Sequence, residues 1–511
     1  MKILDCTLRD GGYYTNWDFE SSLVDTYLAA VNQLPIDYIE VGYRNVPQNE
    51  YMGEYGYCPV STLHHIRQKC NKKIAVMLNE KSTKADDLEQ LLSPIVGLVN
   101  MVRLAVDPKN FDRALGLAKA IKERYNIEVA FNVMYMSTWE DRFYEKLHQL
   151  NGVVDLFCMV DSFGSITPQE AKTITGRVKT ELQCQVGFHG HNNLQLGLIN
   201  TLTAVESGVD FVDATVLGMG RGAGNLNMEL LLTYLNKHDN LSVDFNVLGD
   251  VVKAYQLLFE QYRWGTQLPY MISGANSIPQ KEVMEMVTNR VYSFNSVVRG
   301  LQNRISVIGD KRYPILSGPH YNNVLIIGGG PSPIEHIKGI KAFINSLDSI
   351  ALVFATARHA AYFDEINAPK FYCLSGQEGK RLSTVTNLDN FKDVCVLSPS
   401  PRKFGTDVPE LCRANTYELE KFTFTQVDCP DSCTTISIQL AIDLGASHIY
   451  VAGYDGYPGK VLSERDMALN NENNSLFRDY KNAVGHKLVA ITPSAYDELE
   501  IKSIYQIIQN L

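Results

Sequence analysis

The sequence predicts an α/β protein: a TIM-type (β/α)8 barrel, then a helical extension, then a second α/β domain with a mainly parallel sheet. Three observations predict it. Eight short apolar runs, at 3–7, 38–42, 74–79, 99–106, 129–134, 154–160, 185–189 and 209–215, alternate with amphipathic stretches such as 111–125 and 169–182. That count, order and length suit a barrel of buried parallel strands, with an open doubly wound sheet as the rival. Polar residues recur at the carboxyl end of most runs, where a barrel carries its chemistry. From residue 323 a second series of apolar runs begins, at 323–327, 350–355, 371–374, 394–397 and 448–453. The expected boundaries are 1–240 for the barrel, 241–315 for the helical extension and connector, and 316–511 for the last domain. Residues 245–305 read as largely helical, interrupted at 264–270.

The chain's 511 residues, 45% of them apolar, are ample for two or three domains. A net charge of -10 and a pI near 5.6 argue against a nucleic-acid or polyanion binder and favour small-molecule chemistry. The ten cysteines show no CxxC pair. Cys429 and Cys433 would lie one turn apart if that segment is helical. This usage suits a reduced compartment, and with no leader-like N-terminus or long apolar segment a cytoplasmic location without membrane insertion is expected. A homo-oligomer is expected.

The most informative peptide is Phe188-His189-Gly190-His191-Asn192-Asn193, at the end of the seventh run. Residues two apart on a strand share a face, so both imidazoles can address one cation. Thr7-Leu8-Arg9-Asp10-Gly11-Gly12, at the end of the first run, adds a carboxylate beside an arginine. Asp10, His189 and His191 offer three oxygen and nitrogen ligands with room for water and substrate, which suits Mn²⁺ or Mg²⁺ better than a structural Zn²⁺. Arg9 suits an oxyanion that develops during reaction; its bland alternative is an ion pair with Asp161 or Glu40. Glu40, Asn79, Arg103 and Asp161 are the substrate-binding candidates on the strands between. The loop Gly218-Met219-Gly220-Arg221-Gly222-Ala223-Gly224-Asn225 could turn backbone N–H groups of Gly220 and Gly222 toward a carboxylate or phosphate.

These three motifs resemble the DRE-TIM metallolyase superfamily over about the first 240 residues. The loop at 218–225 is closer to the 4-hydroxy-2-oxovalerate aldolase branch than to the hydroxymethylglutaryl-CoA lyase branch, since it lacks the cysteine of the latter. The resemblance implies that Asp10, His189 and His191 bind Mn²⁺ or Mg²⁺, that Arg9 stabilises an enolate, and that Asn225 can add a ligand. It also shows a departure: the histidine that serves these aldolases as base is Tyr13 here. A phenol is a poor base near neutrality unless a cation is close. Tyr13, Tyr270 and a metal-bound hydroxide remain as base candidates, with aromatic packing as the tyrosines' alternative role.

The activity so implied is that of a class II type aldolase, forming or cleaving a 4-hydroxy-2-oxo acid through a pyruvate enolate, with a 2-oxo acid and an aldehyde as partners. A Claisen reaction with an acyl-CoA is the alternative, and a non-catalytic barrel scaffolding the last domain a second one.

In the last domain, Gly328-Gly329-Gly330-Pro331-Ser332 follows a run and opens a helix, so Gly328, Gly330 and Ser332 could cradle a phosphate. Pro333 stands where a GxGxxG motif needs its last glycine, and the next run ends at Thr356 without the acid that binds an NAD ribose. A fused dehydrogenase is therefore not expected. This turn, with 434–445 and 449–455, is similar to the Rossmann-like fold of bacterial sialyltransferases and MptE-like pterin pyrophosphokinases. That resemblance implies a nucleotide or nucleotide-sugar ligand. It departs at Gly329, at Ala357-Arg358-His359, and in lacking a matching histidine after Asp455. The two halves together suggest sugar-acid or surface-polysaccharide metabolism.

Overall fold

In the computed structural model, the described residues are 1–49, 51–289, 297–298, 300–302, 312–400, 402, 406–427, 429, 432–457 and 464–509. They fall into two compact units, Met1–Met284 and Glu285–Leu511.

In the first unit eight strands alternate with helices: β1 (Lys2–Asp5), β2 (Tyr38–Tyr43), β3 (Lys73–Asn79), β4 (Met101–Val106), β5 (Glu128–Val133), β6 (Leu156–Val160), β7 (Gln185–His189) and β8 (Phe211–Ala214). Each is parallel to its neighbours, and β1 pairs with both β2 and β8. That last pairing closes the barrel and removes the open-sheet alternative. Strand alternation sorts the side chains. Ile39, Val41, Val102, Leu104, Phe131 and Val133 join the core between strands and helices. The intervening residues fill the barrel: Leu4, Tyr38, Ala75, Met101, Ala130, Leu156 and Phe211 form an apolar floor. Two residues further along their strands lie Glu40, Arg103, Asn132 and Asp213, all buried. A step of two keeps a side chain on one face of a strand, so this polar layer stands directly over the floor, toward the carboxyl ends.

The first strand stops short of its run in the sequence. The first run extends to Thr7, but β1 stops at Asp5, whose carboxylate accepts hydrogen bonds from Thr7 N (2.8 Å) and Thr7 Oγ1 (3.0 Å). That local turn starts a helix, Thr7–Thr15. Arg9 and Asp10 therefore sit on the first turn of a helix rather than in an extended loop. The seventh strand ends at His189, and His191 beyond it is bridged antiparallel to Asn225.

The helical extension contains Phe245–Tyr262, begun by the Asp244 carboxylate accepting from Asn246 N and Val247 N, and Leu268–Ala275. The break, expected at 264–270, spans 263–267, starting at Arg263 in the left-handed region at φ 51°; Leu268, Pro269 and Tyr270 already belong to the second helix. The expected helix to 305 runs partly outside the described residues.

The second unit holds one parallel sheet of β9 (Asn323–Ile327), β10 (Ile350–Phe354), β11 (Lys370–Leu374), β12 (Val394–Leu397), β13 (Thr416–Glu418), β14 (His448–Ala452), β15 (Val489–Ala490) and β16 (Glu500–Ile501). Their order is β13-β12-β11-β10-β9-β14-β15-β16, so the chain reverses its direction across the sheet between β9 and β14. Helices Cys433–Asp443 and Glu464–Val484 pack on one face through Ile436, Leu440, Phe477 and Tyr480. Helices Ile337–Asn345 and Glu378–Val385 pack on the other through Ile340, Phe343 and Leu382. Cys429 precedes the helix that Cys433 starts, so the two are not one helical turn apart. No described helix is long and apolar enough to cross a membrane.

Candidate active site

At the carboxyl end of the barrel lies a cavity of about 430 Å³. Arg9, Asp10, Tyr13, Tyr43, Asn79, Lys81, Asn132, His189, His191 and Arg221 are among the residues that line it. Asp10 Oδ2 stands 3.6 Å from His189 Nε2, and the two imidazole centres are 5.0 Å apart. Asp10 also pairs with Arg9 Nη1 and accepts from Asn225 Nδ2 at 2.6 Å. Burial opposes the charge on Asp10, yet Arg9 and the two histidines outweigh it and hold the carboxyl below its usual range.

Both histidines are oriented from behind. His189 Nδ1 lies 2.9 Å from Asp213 Oδ2, and His191 Nδ1 lies 2.8 Å from the Asp161 carbonyl oxygen. A carbonyl can only accept, so His191 Nδ1 carries its proton there and leaves Nε2 a lone pair. Burial first, then the neighbouring His189, pushes His191 down to about 3 and keeps the ring neutral. Asp213, absent from the sequence expectations, also accepts from Arg103 Nη2 at 2.6 Å. Although burial pushes the other way, Arg103 and His189 bring its carboxyl down to about 2. The run at 209–215 holds two acids, Asp210 and Asp213, and the second, flanked by Val212 and Ala214, was the signal for it.

The donor set fits a cation. Only the amide nitrogen of Asn225 can face a carboxylate, which leaves its Oδ1 buried and without a donor among the described residues. Cys6 Sγ joins Asp10 and His189 in a group whose ligand atoms lie within 4.8 Å of one another. Burial, reinforced by Asp10, raises that thiol well above its usual range. Cys6 thus remains an S–H donor, 3.7 Å from Asp10 Oδ2, beneath the other groups.

Arg9 Nε donates to Glu40 Oε2 at 2.8 Å, so the ion pair with Glu40 is present. Its Nη2 has no acceptor among the described residues, on a side chain that lines the cavity. Glu40 Oε2 also accepts from Arg103 Nη1 at 3.1 Å, and Arg103 Nε donates to Asn132 Oδ1 at 2.8 Å. Arg103 is fully buried, and its guanidinium ties Glu40, Asn132 and Asp213 together under the cavity. Neither Glu40 nor Arg103 is part of the cavity wall, whereas Asn79 is. Asp161 lies behind His191; burial raises its carboxyl to about 7 against the backbone hydrogen bonds it receives.

Tyr13 lines the cavity, its hydroxyl 2.7 Å from that of Tyr43. Tyr270 does not: it is buried, with the Tyr14 side chain beside it. Two glycines permit these packings. At Gly12 a Cβ would run into the Trp17 indole, whose Nε1 donates to Arg9 O at 3.0 Å and so steadies the helix bearing Arg9 and Asp10. Gly222, at φ +60°, has Gln280 and Tyr270 against the position of its missing Cβ. Space beside Gly220 is likewise occupied by the Asn225 amide, so both loop glycines pack against side chains.

In the second unit the turn after β9 commits Gly328 N to Ala452 O (2.8 Å) and Gly330 N to Gly453 O (2.9 Å). Ser332 Oγ donates to Thr492 Oγ1 at 2.8 Å. Arg358 Nη1 donates to Gly329 O at 2.8 Å, and Arg381 Nη1 to Thr356 Oγ1 at 3.0 Å, placing two guanidinium groups at this edge.

A closed (β/α)8 barrel that gathers a carboxylate and two imidazoles at its carboxyl face, with an arginine beside them, defines a class: barrels with a candidate divalent-metal centre. Residues 98–254 match the family model described as HMGL-like. A 4-hydroxy-2-oxovalerate aldolase from Chloroflexus aurantiacus is 32% identical over 243 residues, 46% of this chain and 69% of that protein. An oxaloacetate decarboxylase from Mycobacterium tuberculosis is 25% identical over 58% of this chain and 89% of its own length. The crystal structure of the N-terminal domain of a "putative aldolase" from Bacteroides vulgatus is 63% identical, with a TM-score of 0.56, over 58% of this chain and 99% of that one. The chain belongs to the HMGL-like family through its barrel.

Proposed function

We infer that the barrel is a divalent-metal-dependent aldolase that forms or cleaves a 4-hydroxy-2-oxo acid through a pyruvate enolate. The observation that carries this is the convergence of Arg9 and Asp10, from the helix after β1, with His189 and His191, from the end of β7, on one cavity. Asp10, His189 and His191 would hold Mn²⁺ or Mg²⁺, with Asn225 Oδ1 available beside them. When bound, such an ion supplies the Lewis acidity that makes the C3 protons of a 2-oxo acid removable. Arg9, with Nη2 uncommitted, donates to the oxygen that becomes negative as the enolate forms. Tyr13, on the cavity wall, is the base assigned to the 4-hydroxyl group. In cleavage that proton passes to the base, the C3–C4 bond pair moves into the enolate, the aldehyde leaves, and protonation at C3 yields pyruvate.

The test is exchange of pyruvate methyl protons in D2O by the full chain with Mn²⁺, followed by NMR, alongside an aldehyde panel read by mass. Exchange that a chelator abolishes and Mn²⁺ restores, and that Asp10→Asn loses, is the expected result. Undiminished exchange in metal-free protein defeats the reading.

For the second unit we propose a nucleotide-type ligand at the carboxyl ends of β9, β10 and β14. Support comes from the reversal of strand order there and from Arg358 and Arg381 at the same edge. Because two glycine N–H groups are engaged, the arginines rather than the turn are assigned the phosphates. Titration calorimetry of the full chain with CMP, against Arg358→Ala, tests it; no heat with a nucleotide panel counts against it.

A further inference from the structure

The cavity holds more positive charge than a pyruvate enolate and a neutral aldehyde require. Arg9, Lys81, Arg221 and Lys281 line it, and Asp10 is the carboxylate among its lining residues. Arg9 is answered by Asp10 and Glu40, and Lys81 Nζ lies 3.6 Å from Asp107 Oδ2. Arg221 is different. Its guanidinium carbon stands 4.2 Å from the centre of the Tyr13 ring, and among the described residues no carboxylate comes within ion-pairing distance of it. Stacking on an aromatic face holds the plane of a guanidinium while leaving its edge of N–H donors open. A divalent ion at Asp10 and the histidines would add two positive charges, which the single carboxylate of a 2-oxo acid offsets only in part.

We propose that Arg221 binds a second anionic group, a carboxylate or a phosphate monoester, on the aldehyde-derived end of the substrate. The enzyme's 4-hydroxy-2-oxo acid is then at least a dianion, gripped at one end by the metal centre with Arg9 and at the other by Arg221. A bidentate guanidinium contact is geometrically selective for such oxyanions, and a cavity of about 430 Å³ has room for a substrate of this size. This rests on the aldolase reading for the location of the first carboxylate, so the experiment separates the two.

Binding is measured first, without turnover, by calorimetry on the Mn²⁺-loaded full chain with 2-oxoadipate and with 2-oxohexanoate, a dianion and a monoanion of equal chain length. The dianion is expected to bind about tenfold more tightly. Arg221→Ala should bring that ratio to within about threefold, and Arg221→Lys, which keeps the charge but loses the fork, should give an intermediate ratio. Melting temperatures check that both variants are folded, and the lysine variant carries the comparison if the alanine variant is not. Equal affinities in the unaltered chain, or a ratio indifferent to Arg221, overturn the proposal. Turnover of pyruvate with succinic semialdehyde, glyceraldehyde 3-phosphate and butanal then distinguishes carboxylate from phosphate: the favoured source is the one whose kcat/KM exceeds that of butanal by about tenfold and falls with Arg221→Ala. Dianion preference through Arg221 without pyruvate proton exchange would sink the aldolase reading and leave the anion site standing. Exchange with a flat ratio would do the reverse.

Discussion

His189 Nδ1 and Asp213 Oδ2 are 2.9 Å apart, fully inside the barrel, and Asp213 is itself fastened to Arg103 at 2.6 Å. With its carboxyl brought down to about 2, Asp213 stays ionised, accepts a hydrogen bond from Nδ1–H and turns His189 Nε2 toward Asp10. The ring's tautomer is therefore chosen by a residue that lies below the cavity. Outer partners of this kind typically change metal affinity by about 10–100-fold. Asp213→Asn is expected to weaken Mn²⁺ binding by that order, read by electron paramagnetic resonance of free Mn²⁺. Affinity within twofold of the unaltered chain, in folded protein, would remove Asp213 from this role.

Arg103 bears on stability rather than on substrate. It is fully buried and bonded to Glu40, Asn132 and Asp213, so Arg103→Met leaves Asp213 without its guanidinium and Glu40 with Arg9 alone. Breaking a buried pair in this way costs about 3–5 kcal/mol. Urea unfolding should show a loss of that size, and a much smaller loss would mean that the carboxylates find other partners or protonate readily.

Tyr13→Phe separates the base from its neighbour. The Tyr13 and Tyr43 hydroxyls are 2.7 Å apart and both residues line the cavity. Loss of a general base costs about 10²–10⁴ in rate. Tyr13→Phe is expected to lower kcat for aldol cleavage by that order while pyruvate binding, read by calorimetry, moves little. An equal loss in Tyr43→Phe, with Tyr13→Phe nearly silent, would reassign the proton transfer.

Asp5 supplies a pH signature distant from substrate. Burial raises its carboxyl to about 6 despite hydrogen bonds from Tyr27 and Thr7. The folded-state value lies above the unfolded one, so the protonated acid stabilises the fold below about pH 4 and that contribution is lost as pH rises through about 6. Asp5→Asn should flatten the stability profile across this window, on the order of 2–3 kcal/mol by the usual 1.4 kcal/mol per pH unit. A slope identical to that of the unaltered chain in denaturant titrations at pH 4, 5, 6 and 7 would contradict it.

Within the candidate site, what could be read from sequence depended on local chemistry. Arg9-Asp10 and His189-Gly190-His191 are short motifs whose spacing already restricts what they can face. The carboxylate Asp213 and the stacked arginine Arg221 were visible only as an acid in an apolar run and a member of a glycine loop. Their meaning depends on partners, Arg103 and Tyr13, that are 110 and 208 residues away in the chain. Tyr270 shows the opposite case: a candidate base by residue type, yet buried against Tyr14. The short strands β13, β15 and β16, of two or three residues, carry too little periodicity to stand out from their surroundings.

Taken alone, the amino-acid order determined the alternation of strand and helix in both units and the identity of the polar groups at the barrel's carboxyl ends, because apolar periodicity and turn chemistry act over a few residues. Closure was decided only in three dimensions, when β1 found β8 and chose a barrel over an open sheet. The same closure selected which inward side chains meet: Arg103 with Asp213, Asp213 with His189, Arg221 with Tyr13. Side-chain electrostatics inside a barrel depend on strand register and on the dry, low-dielectric interior that closure creates, and neither is encoded at any single position.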